Sequence, residues 1–324
     1  MNKKIVYSAA IDIGQTSTKF SLISNQGSIK YFFDMSSEKF FIHLDPFAFL
    51  VNQIKSLINN VQSQGLEVSA IGVSSTMDVN AVDGTLRFVN TEQFNKWKIF
   101  SLKEFFQNQF RLPIVIENDG IAAAWGEFCV GSGKETRNFI NIMIGTGIGG
   151  GVILDGNILP DSLGSGSYFG HMSININGDE CPLCNHKGCW EMYASGYALE
   201  KQAEKILSST KQDTVLSIKP SVREIIEAAQ TGDNLAILLL NDLGYYLGFG
   251  LVNLVNIFNP ELIILGGGLI HADKFFTKQA IEILNEKRMP LRNKIRVVIS
   301  KLGAQAALIG VGLMAINECE KDKQ

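Results

Sequence analysis

Residues 170–191 read GHMSININGDECPLCNHKGCWE, and the reading of the whole chain turns on them. Three of the five cysteines fall here as Cys181-x2-Cys184-x4-Cys189, with His171 ten residues ahead of the first. Three thiols and an imidazole this close in sequence supply the donors of a tetrahedral Cys3His zinc site. The loop between them is polar and carries glycines, which suits a short metal-clamped knuckle better than a core strand. Metal binding is therefore preferred to three free thiols that happen to lie close together. His186, inside the cluster, is the rival imidazole. His171 is preferred because its Gly-His step ends a glycine-bearing run and would tie that run to the knuckle. Four protein ligands leave no open position, so the zinc is expected to be structural and the chemistry must come from elsewhere.

Composition sets the outer bounds. With 324 residues, 46% of them hydrophobic, the chain can bury a large core and is expected to form two domains. A net charge of -3 gives no global electrostatic reason to expect nucleic acid. Five cysteines, three of them clustered, fit a reducing cytoplasm with a metal knuckle rather than a disulfide framework. Cys129 and Cys319 stand alone and read as ordinary thiols. The N-terminal apolar run ends at Asp12, too short to span a bilayer, and no signal-peptide cleavage pattern follows it. Residues 235–258 are long and apolar, but Asn241, Asp242, Asn253 and Asn256 interrupt them. Such groups are expensive in lipid, so this segment is expected to be a buried helix of a protein with no membrane partner.

Hydrophobic spacing then orders the chain. Strands are expected at 6–13, 20–23 and 29–33, separated by Gly14-Gln15-Thr16 and Asn25-Gln26-Gly27. A helix spans 46–64, a strand 68–73, a serine-capped helix 101–110, a strand 113–116 and a helix 121–128. A second round begins with strands 139–144 and 151–154. Helices follow at 191–207, 222–229 and 235–256, then strand 261–265, helix 273–287, strand 295–299 and helix 304–318. Two rounds of hairpin strands followed by strand–helix alternation indicate two similar α/β lobes. Their expected extents are 1–116, with helix 304–324 packing back on it, and 117–303, which carries the knuckle. Only the charged tail after Glu318 is expected to fray.

Three glycine turns sit at strand ends. Asp12, Gly14, Gln15 and Thr16, with Lys19 just beyond, could place backbone and hydroxyls near a phosphate, and Asp12 could hold a hydrated Mg²⁺. Gly145-Thr146-Gly147, opening a longer glycine run, is a second nest for an anion. Gly266-Gly267-Gly268 would let a flat adenosine slide against bare backbone. None is a P-loop, because the Gly-Lys-Ser/Thr ending is absent. Asn118-Asp119, at a strand-to-helix junction, is the best candidate for chemistry, with helix capping as the plain alternative. Glu127 and Glu191 have the same alternative as ordinary helix carboxylates.

Taken in order, these residues resemble the ROK family (repressor, open reading frame, kinase), whose kinase members phosphorylate hexoses. The resemblance rests on the Asp12-Ile13-Gly14 opening with Thr16, on Glu117-Asn118-Asp119 with Gly126-Glu127, and on Gly145 to Gly151. It continues through Gly170-His171, Gly188-Cys189-x-Glu191 and Gly266 to Gly268. It implies an α/β, two-lobed actin-like ATPase or sugar kinase fold with a zinc knuckle, with ATP and sugar in the cleft. It also implies Asp119 as general base, with Asn118 and Glu191 holding sugar hydroxyls and His171 linking sugar and zinc. ATP, Mg²⁺ and structural Zn²⁺ are the implied cofactors, and a homodimer is the implied assembly. Phosphoryl transfer needs these parts: an in-line oxygen, positive partners for the phosphate, and one oriented base. An aspartate of ordinary pKa is expected to be ionised at pH 7 and able to take the proton.

The sequence also departs from the family pattern. Gln15 stands where a glycine is usual, and a side chain there is expected to crowd the phosphate or restrict the turn. Ile121 replaces an asparagine, and Lys96, near Trp97, replaces a glycine. Tyr168 replaces a glutamate that commonly contacts the sugar, so it offers one hydroxyl and a large ring instead. The segment 160–167 also lacks several of the usual glycines. Two readings follow: an ATP-dependent hexose kinase with an altered sugar pocket, or a sugar-binding regulator without turnover. The family's repressors carry a helix-turn-helix ahead of the first phosphate strand. Only about ten residues precede the Asp12 turn here, so direct DNA binding is not expected.

Overall fold

The computed structural model describes residues 4–41, 45–87, 99–159, 168–209, 212–290 and 294–321. The chain opens with β1 (Tyr7–Ile13), β2 (Ser17–Ser24) and β3 (Ile29–Ser36), then α1 (Ser37–Phe41) and α2 (Pro46–Gln62). Next come β4 (Val68–Ser75), β5 (Asp78–Asn80), β6 (Thr85–Arg87), β7 (Ile99–Ser101), α3 (Leu102–Gln107), β8 (Ile114–Asn118) and α4 (Asp119–Val130). The second half runs β9 (Phe139–Ile144), β10 (Ile148–Leu154), β11 (Asn157–Ile158), α5 (Glu191–Ala194), α6 (Gly196–Ser209), α7 (Val222–Gln230) and α8 (Asn234–Phe258). It closes with β12 (Leu262–Gly266), α9 (Asp273–Lys287), β13 (Arg296–Ile299) and α10 (Ala306–Lys321). Two five-stranded sheets result, ordered β3-β2-β1-β4-β8 and β11-β10-β9-β12-β13.

The chain divides into two compact units. The first comprises Met1–Asn141, Gly150–Ser167 and Ser300–Gln324, and the second Ile142–Gly149 and Tyr168–Ile299. In the first unit, β1 is wholly buried and pairs antiparallel with β2 and parallel with β4. Alternate β1 side chains (Tyr7, Ala9, Ile11, Ile13) pack with the apolar stripe Phe47, Leu50, Ile54 and Leu57 of α2. Asp45 caps α2 by accepting from Ala48 N at 2.9 Å. The opposite sheet face meets α10 through Ala70, Ala315 and Cys319.

Helix α4 belongs to this first unit, whereas the sequence division assigned residues 117 onward to the second lobe. The reason is its contact with α10. A Cβ on Gly126 would meet Ala306 O at 2.6 Å, and one on Gly310 would run into the carbonyl of Ala122. Small residues on both helices thus let the two backbones touch.

In the second unit, α8 is long and apolar enough to cross a membrane by length and composition, yet 61% of its most apolar stretch is buried. It spends that surface on α9, where Gly244 lies against Phe276 and Gly248 against Ile283, and on Trp190, whose Nε1 donates to Tyr246 O at 2.9 Å.

Four local details depart from the sequence reading. Strands β5, β6 and β7 form a small antiparallel sheet in a stretch for which the sequence reading names no element. Strands of three residues carry too little alternation to be read. Ser101 ends β7 and makes no side-chain cap on α3. The helix foreseen at 191–207 is broken at Ser195, whose backbone is extended. Helix α10 continues to Lys321, past the expected fraying point. Residues 160–167, Lys96 and Trp97 lie outside the described residues.

Candidate active site

The first group of site residues lies at the tips of β1, β2, β4 and β8. Asp12 and Lys19 are register partners across the β1–β2 hairpin, and Lys19 Nζ sits 2.8 Å from Asp12 Oδ2. Ser74 Oγ, on β4, donates to Asp12 Oδ1 at 2.9 Å. The hairpin turn is tight: Gly14 N donates to Ser17 O at 3.1 Å, and a Cβ on Gly14 would meet that same oxygen at 2.8 Å. Ser37 braces the turn from outside, giving its hydroxyl to Gly14 O at 2.6 Å and its N–H to Thr16 O at 3.0 Å. Gln15 is exposed, and its φ is not positive. The expectation that Gln15 restricts the backbone therefore fails, because the steric demand for glycine falls on position 14.

Strand β8, next to β4 in the same sheet, ends at Asn118, and Asp119 opens α4 there. Asn118 is the cap of α4, its Oδ1 accepting from Gly120 N at 2.9 Å and Ile121 N at 3.3 Å. Capping thus falls to Asn118, and its Nδ2 has no partner among the described residues. Asp119, the next residue, accepts from Gly120 N at 2.8 Å through Oδ1. Its Oδ2 has no partner among the described residues. Burial, then the Asp12 carboxylate, push the Asp119 carboxyl up to about 7, against the lowering pull of the Gly120 N–H and of Lys19. This corrects the expectation of an ordinary, fully ionised aspartate. Ile121 is buried in α4, out of reach of a polar role.

The second group lies in the other unit. His171, Cys181, Cys184 and Cys189 bring their ligand atoms within 4.8 Å of one another. Cys181 Sγ is 3.8 Å from His171 Nδ1, and Cys184 Sγ is 3.4 Å from Cys189 Sγ. Ligands about 2.0–2.3 Å from a tetrahedral zinc are themselves separated by roughly 3.5–3.8 Å, so the donor set fits that ion. His186 is exposed and outside the cluster. The knuckle's backbone is held by its own bonds, among them Cys181 N to His186 O at 2.8 Å and Trp190 N to Met172 O at 2.8 Å.

Glu191 stands beside this cluster, its Oε1 3.4 Å from both His171 Nδ1 and Cys181 Sγ. Its Oε2 fills the space left by two missing side chains: a Cβ on Gly147 would meet it at 2.7 Å, and one on Gly170 at 3.0 Å. The carboxylate therefore joins the knuckle to the Gly145–Gly147 turn. Tyr168 is half exposed, with its ring centroid 5.9 Å from that of His171. The break at Ser195, missed in the sequence, has a use here. Gly196 N and Tyr197 N, opening α6, donate to Gly145 O at 2.8 Å and Thr146 O at 3.1 Å and strap the turn in place. Ser195 Oγ accepts from Ala198 N at 3.2 Å, so a serine inside the expected helix was the available signal.

Gly266 ends β12, and Gly267 follows with φ 91° pressed onto Ile144, a conformation and a closeness that require glycine. Cβ atoms on Gly145 or Gly268 would meet nothing within 4 Å, so bare backbone faces open space at both. Ser37, Ser74 and Ser195, which hold the loops and Asp12, were not anticipated. Their contacts come from strand register and a helix break rather than from a local motif.

A sequence model of the ROK family matches residues 8–318. The xylose repressor of Bacillus spizizenii is 32% identical over 318 residues, covering 97% of this chain and 78% of that protein. The glucokinase of Streptomyces coelicolor is 31% identical over 318 residues, covering 94% and 96%. The crystal structure of a ROK family glucokinase from Streptomyces griseus, in complex with glucose and AMPPNP, is 28% identical. It superposes with a TM-score of 0.80 over 96% of this chain and 99% of that one. Sequence and structure agree over nearly the whole length: this chain belongs to the ROK family and has its α/β sugar kinase fold.

Proposed function

We propose that this protein transfers the γ-phosphoryl group of ATP to a hydroxyl of a hexose or hexose derivative, in the cytoplasm and as a homodimer, with Asp119 as general base. The observation that carries the reading is the state of Asp119. One carboxylate oxygen is fixed by the Gly120 N–H, the other has no partner among the described residues, and the group's pKa is pushed up to about 7. A base is most effective when its pKa is near the working pH. In the proposed step the sugar hydroxyl donates to Asp119 Oδ2 and its oxygen attacks the γ-phosphorus. As that O–P bond forms, the bond from the γ-phosphorus to the bridging oxygen breaks, ADP leaves, and Asp119 holds the proton.

Asn118, through its Nδ2, would hold a sugar hydroxyl; Glu191, His171 and Tyr168 are likewise proposed as sugar-binding residues. Gly145, Thr146, Gly147, Gly266, Gly267 and Gly268 would receive the nucleotide, with Gly14, Gln15, Thr16 and Lys19 at the phosphates. Each Asp12 oxygen already has one protein partner, Ser74 or Lys19. Asp12 thus suits a hydrated Mg²⁺ held through water, and the ion would neutralise phosphate charge when bound. Zinc at His171, Cys181, Cys184 and Cys189 would be structural. Support comes from the glucokinase relative and from the Streptomyces griseus enzyme, which holds glucose and AMPPNP on the same fold.

The second reading is a sugar-sensing regulator without turnover. It is favoured by the xylose repressor, which is as similar to this chain as the glucokinase is, and by Tyr168 beside His171. A coupled ADP-release assay across hexoses, amino sugars and β-glucosides separates the two. Turnover with any sugar, abolished in Asp119→Asn, supports the kinase. Sugar binding with no ADP release from any of them overturns it in favour of the regulator.

A further inference from the structure

At the edge of the first unit's sheet, β3 presents Tyr31, Phe32 and Phe33 in succession, each about two-fifths exposed. Strand alternation would turn neighbouring side chains to opposite faces, so three rings in a row at solvent need a local cause. The β2–β3 register slips between Phe20 and Leu22, and opposite the slip Tyr31 takes φ 54°. A positive φ is a genuine outlier for a bulky residue, and a bulge re-aims the side chains around it. The phenol of Tyr31 is then fixed by Gln64 Oε1 on the far side of a groove.

That groove is a cavity of about 550 Å³ between β3 and one face of α2. Leu57 forms its apolar floor, and Gln53, Ser56 and Asn60 line its wall at helical spacing. The side chains of these last three have no partner among the described residues, so two amides and a hydroxyl remain to donate and accept. Among the described residues, no charged side chain lines the cavity. That composition gives nothing to neutralise a phosphate or carboxylate and nothing to hold a cation. It does match a neutral ligand with apolar C–H faces and many hydroxyls, since aromatic faces take the first and amides the second. The bulge also argues against a peptide adding as a sixth strand, because it interrupts the ladder such a strand would need.

We infer that this groove is a second carbohydrate site, built for a neutral oligosaccharide and sharing no residue with the proposed catalytic set. The test is saturation-transfer NMR and equilibrium titration of the full chain with cellotriose and maltotriose. At least one trisaccharide is expected to saturate, with transfer to its ring protons. Phe32→Ala, at an exposed ring, and Asn60→Ala, at an exposed amide, are each expected to weaken it about tenfold or more. Both variants keep the wild-type melting temperature and ADP-release rate. The inference is overturned if neither trisaccharide shows transfer, or if binding persists in both variants. It is also overturned if Phe32→Ala lowers the sedimentation coefficient, since the rings would then be covered by a second copy of the chain.

Discussion

Lys19 Nζ lies 2.8 Å from Asp12 Oδ2 on adjacent strands, and the two groups pull the pKa of Asp119 in opposite directions. Asp12 raises it and Lys19 lowers it, so, with Asp119 as the proposed base, the acid limb of the activity profile would be tunable from the hairpin. With Asp119 as base, kcat/KM is expected to fall as pH drops through about 7. Asp12→Asn should move that limb to lower pH, and Lys19→Met to higher pH. Rate profiles from pH 5 to 9 check this, as does the ¹³C titration of the Asp119 carboxyl. A wild-type limb near the ordinary aspartate value would contradict the assignment.

The same shift makes Asp119 a cost to stability. Its folded pKa, about 7, lies above its unfolded value of 3.8, so the folded chain binds more protons between those values. Its contribution to stability is therefore greatest below the lower value, declines as pH rises towards about 7, and stays lost above it. Asp119→Asn removes the buried charge and should raise the melting temperature at pH 8 by on the order of 2–4 °C. The gain should shrink by pH 5, where the native group is largely protonated. Turnover vanishes at both pH values. Equal melting shifts at pH 5 and 8 would show that the carboxyl is not perturbed.

Zinc content is a direct prediction of the His171–Cys181–Cys184–Cys189 cluster. One zinc per chain is expected by elemental analysis, and Cys184→Ser should lose it. Metal binding free energy is folding free energy for such a knuckle. Chelation is therefore expected to lower the melting temperature by about 5 °C or more. Sugar affinity should fall with it, because Glu191 touches both His171 and Cys181. A verified metal-free protein with unchanged melting and affinity would separate the knuckle from the sugar residues.

At the first turn, position rather than family pattern decides the effect of a substitution. Gly14→Ala places a methyl 2.8 Å from Ser17 O and should destabilise by about 1–3 kcal/mol. Gln15→Gly relieves no strain, because Gln15 already sits in ordinary backbone space, and should destabilise by up to about 1 kcal/mol through chain entropy. Urea titration of the two variants checks both signs. A stabilised Gln15→Gly would restore the strained-turn reading.

Much of the architecture could be read from periodicity, because α2, α8 and the paired strands are long enough for a face to repeat. The grouping of His171 with Cys181, Cys184 and Cys189, and the Asn118-Asp119 junction, could be read for a related reason: each is a local cluster. What escaped was long-range. The pKa of Asp119 depends on Asp12, which only strand order brings near, and Ser74 and Ser37 act through register. The break at Ser195 was hidden because apolar spacing continues across it. The place of α4 in the first unit follows from backbone contact at Gly126 and Gly310, which no hydrophobic pattern encodes.

Glu127, for which an ordinary helix carboxylate is the plain alternative, is fully buried and pairs with no cation among the described residues. Its Oε1 accepts from Ser300 Oγ at 2.5 Å and Leu302 N at 3.1 Å, and its Oε2 accepts from Ser132 N at 2.5 Å. One side chain therefore anchors the end of α4 to the segment that leads into α10. Glu127→Ala would leave two partly buried N–H groups and a hydroxyl without their acceptor, each costing up to about 1–3 kcal/mol, and leave a cavity besides. Loss of about 3–5 kcal/mol is expected, comparable to a broken buried network. Glu127→Gln should fall between wild type and alanine. Its amide oxygen can keep the pair at Ser300 and Leu302, while its NH2 then faces the Ser132 N–H, a donor against a donor. Denaturant midpoints in the order wild type, Gln, Ala are the expected result. A Gln variant as stable as wild type would mean that the contact with Ser132 contributes nothing.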